Sequence, residues 1–229
     1  MYRLFCFPYA GGSSSFYRPW ASYCNEDIEV IGIQLPGRDK RIYETPIDNL
    51  ENLISNLTME IKEFLDKPFV FFGHSMGSIL SYEICKALLL SENHIPKHLF
   101  LSSCRAPHLS LREEMIHTLS DSLFIEKLKE LNGTPDEILN RKEFSELFLP
   151  MLRSDFKIAE TYQRSIDTQL PLPITCIIGD NDTVSVSDSM EWQKHTSDIF
   201  SHSIYSGDHF YLKSHSNDIM DSIKLKLNQ

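Results

Sequence analysis

Cysteine, net positive charge and long apolar runs are all in short supply in this chain of 229 residues, and each shortage removes a class of protein. The five cysteines, Cys6, Cys24, Cys85, Cys104 and Cys176, are odd in number, scattered and without a C-x-x-C pair. That pattern excludes a disulfide framework and a cysteine-built metal site. Free thiols in a reducing cytoplasm are expected, with Cys6, Cys85 and Cys176 as small core residues. The 22 basic against 32 acidic residues leave a formal charge of −10, which speaks against nucleic acid as a partner. No apolar run approaches the ~20 residues of a membrane span. The start, Met1 to Pro8, has no cleavage-site pattern of a signal peptide. Repeats and low-complexity tracts are missing, as are a G-x-G-x-x-G and a P-loop lysine, so nucleotide binding is not expected.

What remains is an alternation. Short apolar runs bounded by turn residues recur at Leu4 to Phe7, Glu29 to Leu35, Pro68 to Gly73, His98 to Ser103, Ile174 to Gly179 and Phe200 to Tyr205. Most are continuously apolar, as strands covered on both faces must be. Helical patterns lie between them at Ile47 to Leu65, Gly77 to Leu90, Ser187 to His195 and Asn217 to Leu227. The alternation predicts an α/β fold, a mostly parallel central sheet with helices on both faces, in a single domain over residues 1–229.

One connection is too long for a simple crossover, which needs only about 12 residues. From Arg105 to Gln169 the chain carries several amphipathic helices before the next strand. Leu119, Leu123, Leu128 and Leu131 form an apolar stripe, Asn132-Gly133 a break, and Thr134 to Glu137 a capping box. Phe144, Leu147, Phe148, Met151 and Leu152 continue the apolar face, and Pro150 is expected to end or kink that helix. The segment reads as an inserted helical lid over residues 105–169. Helical decoration or an oligomer contact is the plainer alternative.

Glycine is sparse, yet two of the nine bracket one serine in Gly73-His74-Ser75-Met76-Gly77. The motif follows a buried strand and precedes a helix, the context a G-x-S-x-G nucleophile elbow requires. Flanking glycines remove side chains that would collide in a sharp turn. The helix N-terminus then brings partial positive charge and the Met76 amide toward a developing oxyanion. A serine nucleophile needs a base, and the base needs an acid, in the order Ser, Asp or Glu, His. The strand Ile174 to Gly179 runs into Asp180-Asn181-Asp182, and Asp182, further into the loop, is the preferred acid. Asp180 is the alternative, and an Asx turn explains either residue without chemistry. The last strand ends at Ser206-Gly207-Asp208-His209, which makes His209 the base. His202 falls within that strand, His215 in the following helix, and Asp208 reads as a turn or cap residue. The second oxyanion donor is expected after the first strand, at Ala10 of Pro8-Tyr9-Ala10-Gly11-Gly12.

Taken together, Tyr9-Ala10-Gly11-Gly12, Pro36-Gly37-Arg38, Gly73 to Gly77, Asn132 to Glu137, Arg153-Ser154-Asp155 and Gly207 to Phe210 resemble the stand-alone type II thioesterases of nonribosomal peptide and polyketide synthesis. They also resemble the relatives that release chains from fatty-acid synthase. The similarity covers essentially the whole chain. It implies an α/β-hydrolase fold with a flexible lid, and removal of acyl or aminoacyl groups from the phosphopantetheine arm of carrier-protein domains. It also implies Ser75 as nucleophile, His209 as base, Asp182 as orienting acid, and the Ala10 and Met76 amides as oxyanion donors. Acyl or peptidyl carrier domains are then the expected partners, a monomer the expected state, and no cofactor or metal is called for. Tyr9 departs from the family, where many members have histidine.

The stretch Arg38-Asp39-Lys40-Arg41 can be read as a contact for the pantetheine phosphate or an acidic carrier surface, or as a solvated loop. Three rival functions share the residues: a carboxylesterase or lipase acting on free small molecules, a thioesterase domain working in cis within a synthetase, and a non-catalytic receptor of the same fold. The chain begins with its sheet and carries no upstream carrier-like serine motif, which favours action in trans.

Overall fold

The computed structural model describes residues 1–24, 26–92, 94–111, 114–131 and 147–228. Six strands form its sheet: β1 (Tyr2–Phe7), β2 (Ile28–Gly32), β3 (Phe69–His74), β4 (Leu99–Ser102), β5 (Ile174–Gly179) and β6 (Phe200–Tyr205). Their order is β2-β1-β3-β4-β5-β6 and every neighbouring pair is parallel. All five pairings among the described strands are parallel.

Strand alternation builds two cores. Phe5 and Phe7 of β1 face one side with Phe69 and Phe71 of β3, while Leu4, Cys6, Val70 and Phe72 face the other. The first side is covered by α1 (Leu50–Lys62) and α2 (Met76–Glu92). In α1 the Asn49 side chain accepts the Asn52 N–H at 2.9 Å, satisfying an orphan donor of the first turn. Its buried Leu50, Leu53, Ile54, Leu57 and Ile61 recur at the spacing of one helical face. The second side is covered by a 3-10 run, Ser14–Tyr23, through Tyr17 and Trp20, and by the C-terminal helix, Ser216–Leu227, through Ile219, Met220 and Ile223. The 3-10 run is absent from the sequence pattern, because Pro19 within it breaks a regular helical period.

Between β4 and β5 lie α3 (Asp121–Glu130) and α4 (Leu149–Thr161), which share a third core of Ile116, Phe124, Leu128, Leu149, Met151 and Leu152. The expected leucine stripe is corrected here: Phe124 and Leu128 are buried, whereas Leu123 and Leu131 are exposed. Phe124 and Leu128 stand one turn apart and take the inward face. Pro150 does not end or kink a helix. It occupies the first turn of α4, where its missing N–H costs nothing. The break at Asn132-Gly133, the capping box of Thr134 to Glu137, and Phe144 lie outside the described residues. After β5 come the short α5 (Val186–Met190) and a 3-10 turn, Glu191–His195, and the C-terminal helix is α6.

The strand order reverses between β1 and β3: the chain leaves β1 toward β2 on one side and adds β3 on the other. The crevice at the carboxyl ends of such strands is where parallel sheets assemble sites. Ala10 follows β1 and Ser75 follows β3, so both arrive there.

Candidate active site

Ser75 is the first residue beyond β3 and has φ of 55°, in the left-handed region that a residue with a Cβ seldom adopts. Its N–H donates to Ser102 O at 2.7 Å and its carbonyl accepts the Ser78 N–H at 2.9 Å, which opens α2 directly from the turn. The two glycines are required by contact rather than by their own torsions. A Cβ on Gly73 would lie 2.2 Å from Gly77 O, and one on Gly77 would lie 2.1 Å from Phe7 O. Strand, turn and helix are thus pressed together at the one place where the hydroxyl emerges.

The Asp182 carboxylate stands behind His209, one oxygen 2.9 Å from His209 Nδ1. The same oxygen accepts the Val184 N–H at 3.0 Å, and the other accepts from the Ser103 hydroxyl. Burial alone would raise the Asp182 pKa. The hydrogen bond and charge of His209, then Ser103 and the Val184 amide, outweigh it and hold the carboxyl well below the ordinary range. Its side chain is fully buried, while that of His209 is 24% exposed. Asp180 turns elsewhere: its carboxylate accepts the Gly207 N–H at 2.9 Å and shapes the loop that carries His209. Asp208 caps its own turn, accepting the Phe210 N–H at 2.8 Å. His202 lies in β6 and bonds Ser189, and His215 stands one residue before α6.

Ser75 and His209 line one cavity of about 560 Å³ together with Ala10 and Met76. No hydrogen bond joins the Ser75 hydroxyl to the His209 ring in this structure. The Ala10 and Met76 amides have no hydrogen-bond acceptor among the described residues, which leaves both donors available. Beyond the serine, the cavity wall is mostly apolar, with Ile79, Leu109, Leu128, Leu152, Phe156 and Ala159. Glu160 is also on the wall, and it is occupied by the N–H groups of Ile116 and His117, each at 3.1 Å, and by the His117 ring. Among the described residues, no three His, Cys, Asp or Glu side chains are grouped to hold a metal ion, and no helix is long and apolar enough to cross a membrane.

A family model for the thioesterase domain matches residues 2–227. The chain belongs to the thioesterase family. It is 40% identical over 211 residues to the gramicidin S biosynthesis protein GrsT of Aneurinibacillus migulanus, covering 92% of this chain and 82% of that one. It is 39% identical over 228 residues to the linear gramicidin dehydrogenase LgrE of Brevibacillus parabrevis, covering 98% and 87%. Among solved structures it superposes on BorB, the type II thioesterase from the borrelidin biosynthetic cluster, with a TM-score of 0.89 and 32% identity, over 99% of this chain and 92% of that one.

Three features of this thioesterase's site escape its sequence. Ser103, left-handed at φ 52° and buried, presents its hydroxyl to Asp182, and nothing in Ser102-Ser103-Cys104 marks it. His74 of the elbow is fully buried, with Nδ1 2.8 Å from Ser102 Oγ, which lies 2.6 Å from the Tyr211 hydroxyl. Burial first, and then the charge of His209 beside it, push the His74 pKa well down, so this second imidazole stays neutral. Tyr9 packs edge-on against Phe16, His74 and Phe210 at 5.0–5.8 Å and lines the cavity. The basic stretch is corrected as well. Arg38 is 4% exposed and paired with Asp155, so it is neither a solvated residue nor a surface contact. Arg41 is held by Glu44 and Glu60, and Lys40 is exposed.

Proposed function

We propose that this thioesterase is a type II editing enzyme, acting in trans to hydrolyse acyl or aminoacyl thioesters from the phosphopantetheine arm of carrier-protein domains. The observation that carries this reading is the Asp182–His209 pair opening onto the same cavity as Ser75 on its strained turn.

In the proposed mechanism His209 Nδ1–H donates to Asp182, which leaves Nε2 as the proton acceptor facing the cavity. Nε2 takes the Ser75 proton as Oγ attacks the thioester carbonyl, and the Ala10 and Met76 amides receive the oxyanion. Collapse expels the pantetheine thiolate, a better leaving group than an amine because its thiol has a pKa of about 8.5, and His209 returns the proton. Water, deprotonated by the same ring, then cleaves the acyl-serine.

The reading extends to a single domain over 1–229, with residues 105–169 as the lid whose apolar wall receives the acyl chain. Action in the cytoplasm as a monomer, with no cofactor of its own, belongs to it. The dehydrogenase name of one relative is not carried over, because this chain has no G-x-G-x-x-G for a dinucleotide. The test compares hydrolysis of a panel of acyl-loaded carrier proteins with the same acyl groups on a free thiol, using the natural protein and Ser75→Ala. Faster, Ser75-dependent turnover of the carrier-bound forms is expected. Equal rates on both forms would favour a general esterase acting on free small molecules.

A further inference from the structure

Two motifs that carry no chemistry in the mechanism above meet in the interior. The Arg38 guanidinium of Pro36-Gly37-Arg38 binds the Asp155 carboxylate of α4 through both nitrogens, Nη1 to Oδ2 at 2.6 Å and Nη2 to Oδ1 at 2.7 Å. The two side chains are 4% and 2% exposed. Each also reaches into the loop after β1: Asp155 Oδ2 accepts the Gly11 N–H at 2.8 Å, and Arg38 Nη1 donates to Gly12 O at 3.0 Å.

That loop is a tight turn. Gly12 N–H donates to Tyr9 O at 2.8 Å, and Gly11, at φ +80°, occupies the third position, the signature of a type II turn. A peptide unit is planar and trans, so N–H and C=O point opposite ways. With Tyr9 O turned to Gly12, the Ala10 N–H of the same peptide unit is turned outward. Types I and II share the Tyr9 O–Gly12 hydrogen bond and differ only in the Ala10–Gly11 peptide plane, so turn type does not re-aim the Ala10 N–H. What the pair holds is the turn's position: Asp155 binds the Gly11 N–H and Arg38 binds the Gly12 carbonyl. Helix α4 also seals the turn sterically, since a Cβ on Gly11 would lie 2.4 Å from Leu152 Cδ2.

We infer that Arg38 and Asp155 are positioning residues for the oxyanion site, a buried latch that anchors the Tyr9–Gly12 turn against α4 and so fixes where the Ala10 N–H stands. The inference rests on the proposed role of that N–H. It makes α4, which lies within the lid segment, part of the catalytic frame. A buried ion pair adds little net stability compared with well-packed apolar side chains, so stability alone gives it no reason to exist here.

The test uses that last point. The double variant Arg38→Met/Asp155→Leu replaces the pair with apolar side chains and removes both holds on the turn. Three quantities are measured on the whole protein: kcat/KM for an acyl thioester, Ki for the matching acyl trifluoromethyl ketone, and Kd for the matching free carboxylate. The ketone adds Ser75 Oγ to its carbonyl carbon, passes the serine proton to His209, and leaves an oxyanion facing the two amides. Displacing a donor of this kind is expected to cost about 10²-fold. We expect kcat/KM to fall and Ki to rise by that same factor, with Kd within about twofold of the natural protein. Unchanged kcat/KM, or a fall in kcat/KM with unchanged Ki, overturns the latch. If the double variant does not fold, Asp155→Asn carries the test: one acceptor oxygen remains, both values are expected to move about tenfold, and no movement overturns the latch. Ser75→Ala separates the two readings. Ketone binding that is Ser75-dependent but indifferent to Arg38 and Asp155 sinks the latch alone, whereas equal Ki with and without the Ser75 hydroxyl sinks the acyl-serine reading and the latch with it.

Discussion

The Asp182 carboxylate is sealed from solvent, while the imidazole it holds at 2.9 Å, that of His209, stays open to the cavity. Burial of a lone carboxylate would be costly, and here the His209 ring, the Ser103 and Thr183 hydroxyls and the Val184 amide offset it. The arrangement fixes which ring nitrogen bears the proton. Asp182→Asn can present its amide N–H to Nδ1 and so favours the wrong tautomer. A loss of about 10⁴-fold in kcat is expected, with little change in folding. Asp180→Asn leaves the ring untouched and is expected to keep kcat within a fewfold of the natural value. Steady-state kinetics on the two variants decides between the carboxylates, and a near-normal Asp182→Asn enzyme would show the acid to be elsewhere.

Ser75 sits in a conformation that costs a non-glycine residue about 1–2 kcal/mol. Glycine is free of that cost. Both Ser75→Gly and Ser75→Ala are therefore expected to be inactive, with the glycine variant more stable than the alanine variant by about 1 kcal/mol. Urea midpoints at constant m measure the difference. Equal midpoints would mean that the turn relaxes once the hydroxyl is gone.

Gly77 touches the end of β1, not the substrate. An alanine there meets Phe7 O at 2.1 Å, and the colliding atom is backbone, so it cannot rotate away. Gly77→Ala is expected to cost about 2 kcal/mol or more in stability, read from the urea midpoint. It should also lower kcat more than it raises KM. The reason is geometric: β1 leads to Ala10 and α2 begins at Met76, so forcing them apart separates the two oxyanion donors.

The same reasoning separates what could be read in the chain from what could not. All six strands begin within two residues of their apolar runs, because a strand covered on both faces needs no polar alternation and stands out. The elbow and the His209 loop were legible since each is a local word: apolar run, glycine, reactive side chain. The Arg38–Asp155 pair was not. Its partners are 117 residues apart, and a charged residue after Pro-Gly looks solvated until a helix from elsewhere covers it. Ser103 is hidden for a similar reason, because its role depends on φ at one residue and on a loop from β5. Pro150 reads in the sequence as a helix breaker but starts α4, as proline's meaning depends on whether a helix is starting or continuing. In the α3 region, counting leucines overlooked Phe124, the more buried side chain.

Acid is expected to weaken this protein through two buried histidines. Burial, with help from the charge of Lys226, lowers the His98 pKa to about 4. Burial, with His108 and Lys86 nearby, likewise lowers His195 to about 4. His98 stacks on Phe100 at 4.2 Å and bonds Thr175 Oγ1 at 2.7 Å, and His195 bonds Tyr82 and His108, each at 2.9 Å. Neither ring takes up a proton easily while folded. In the unfolded chain both titrate near 6.5, so between that pH and about 4 the unfolded state binds more protons than the native state. Stability must then fall as pH falls through this window, by up to about 1.4 kcal/mol per pH unit for each such ring. Below it, Asp182 continues the trend, because a depressed carboxyl pKa stabilises above the unfolded value near 3.9 and loses that contribution as pH drops further. Urea titrations from pH 7 to pH 4 measure the slope. His98→Gln keeps a donor for Thr175 and cannot titrate, so its slope should be shallower than that of the natural protein by about one ring's share. An identical slope in the two proteins would mean that His98 is protonated in the folded state.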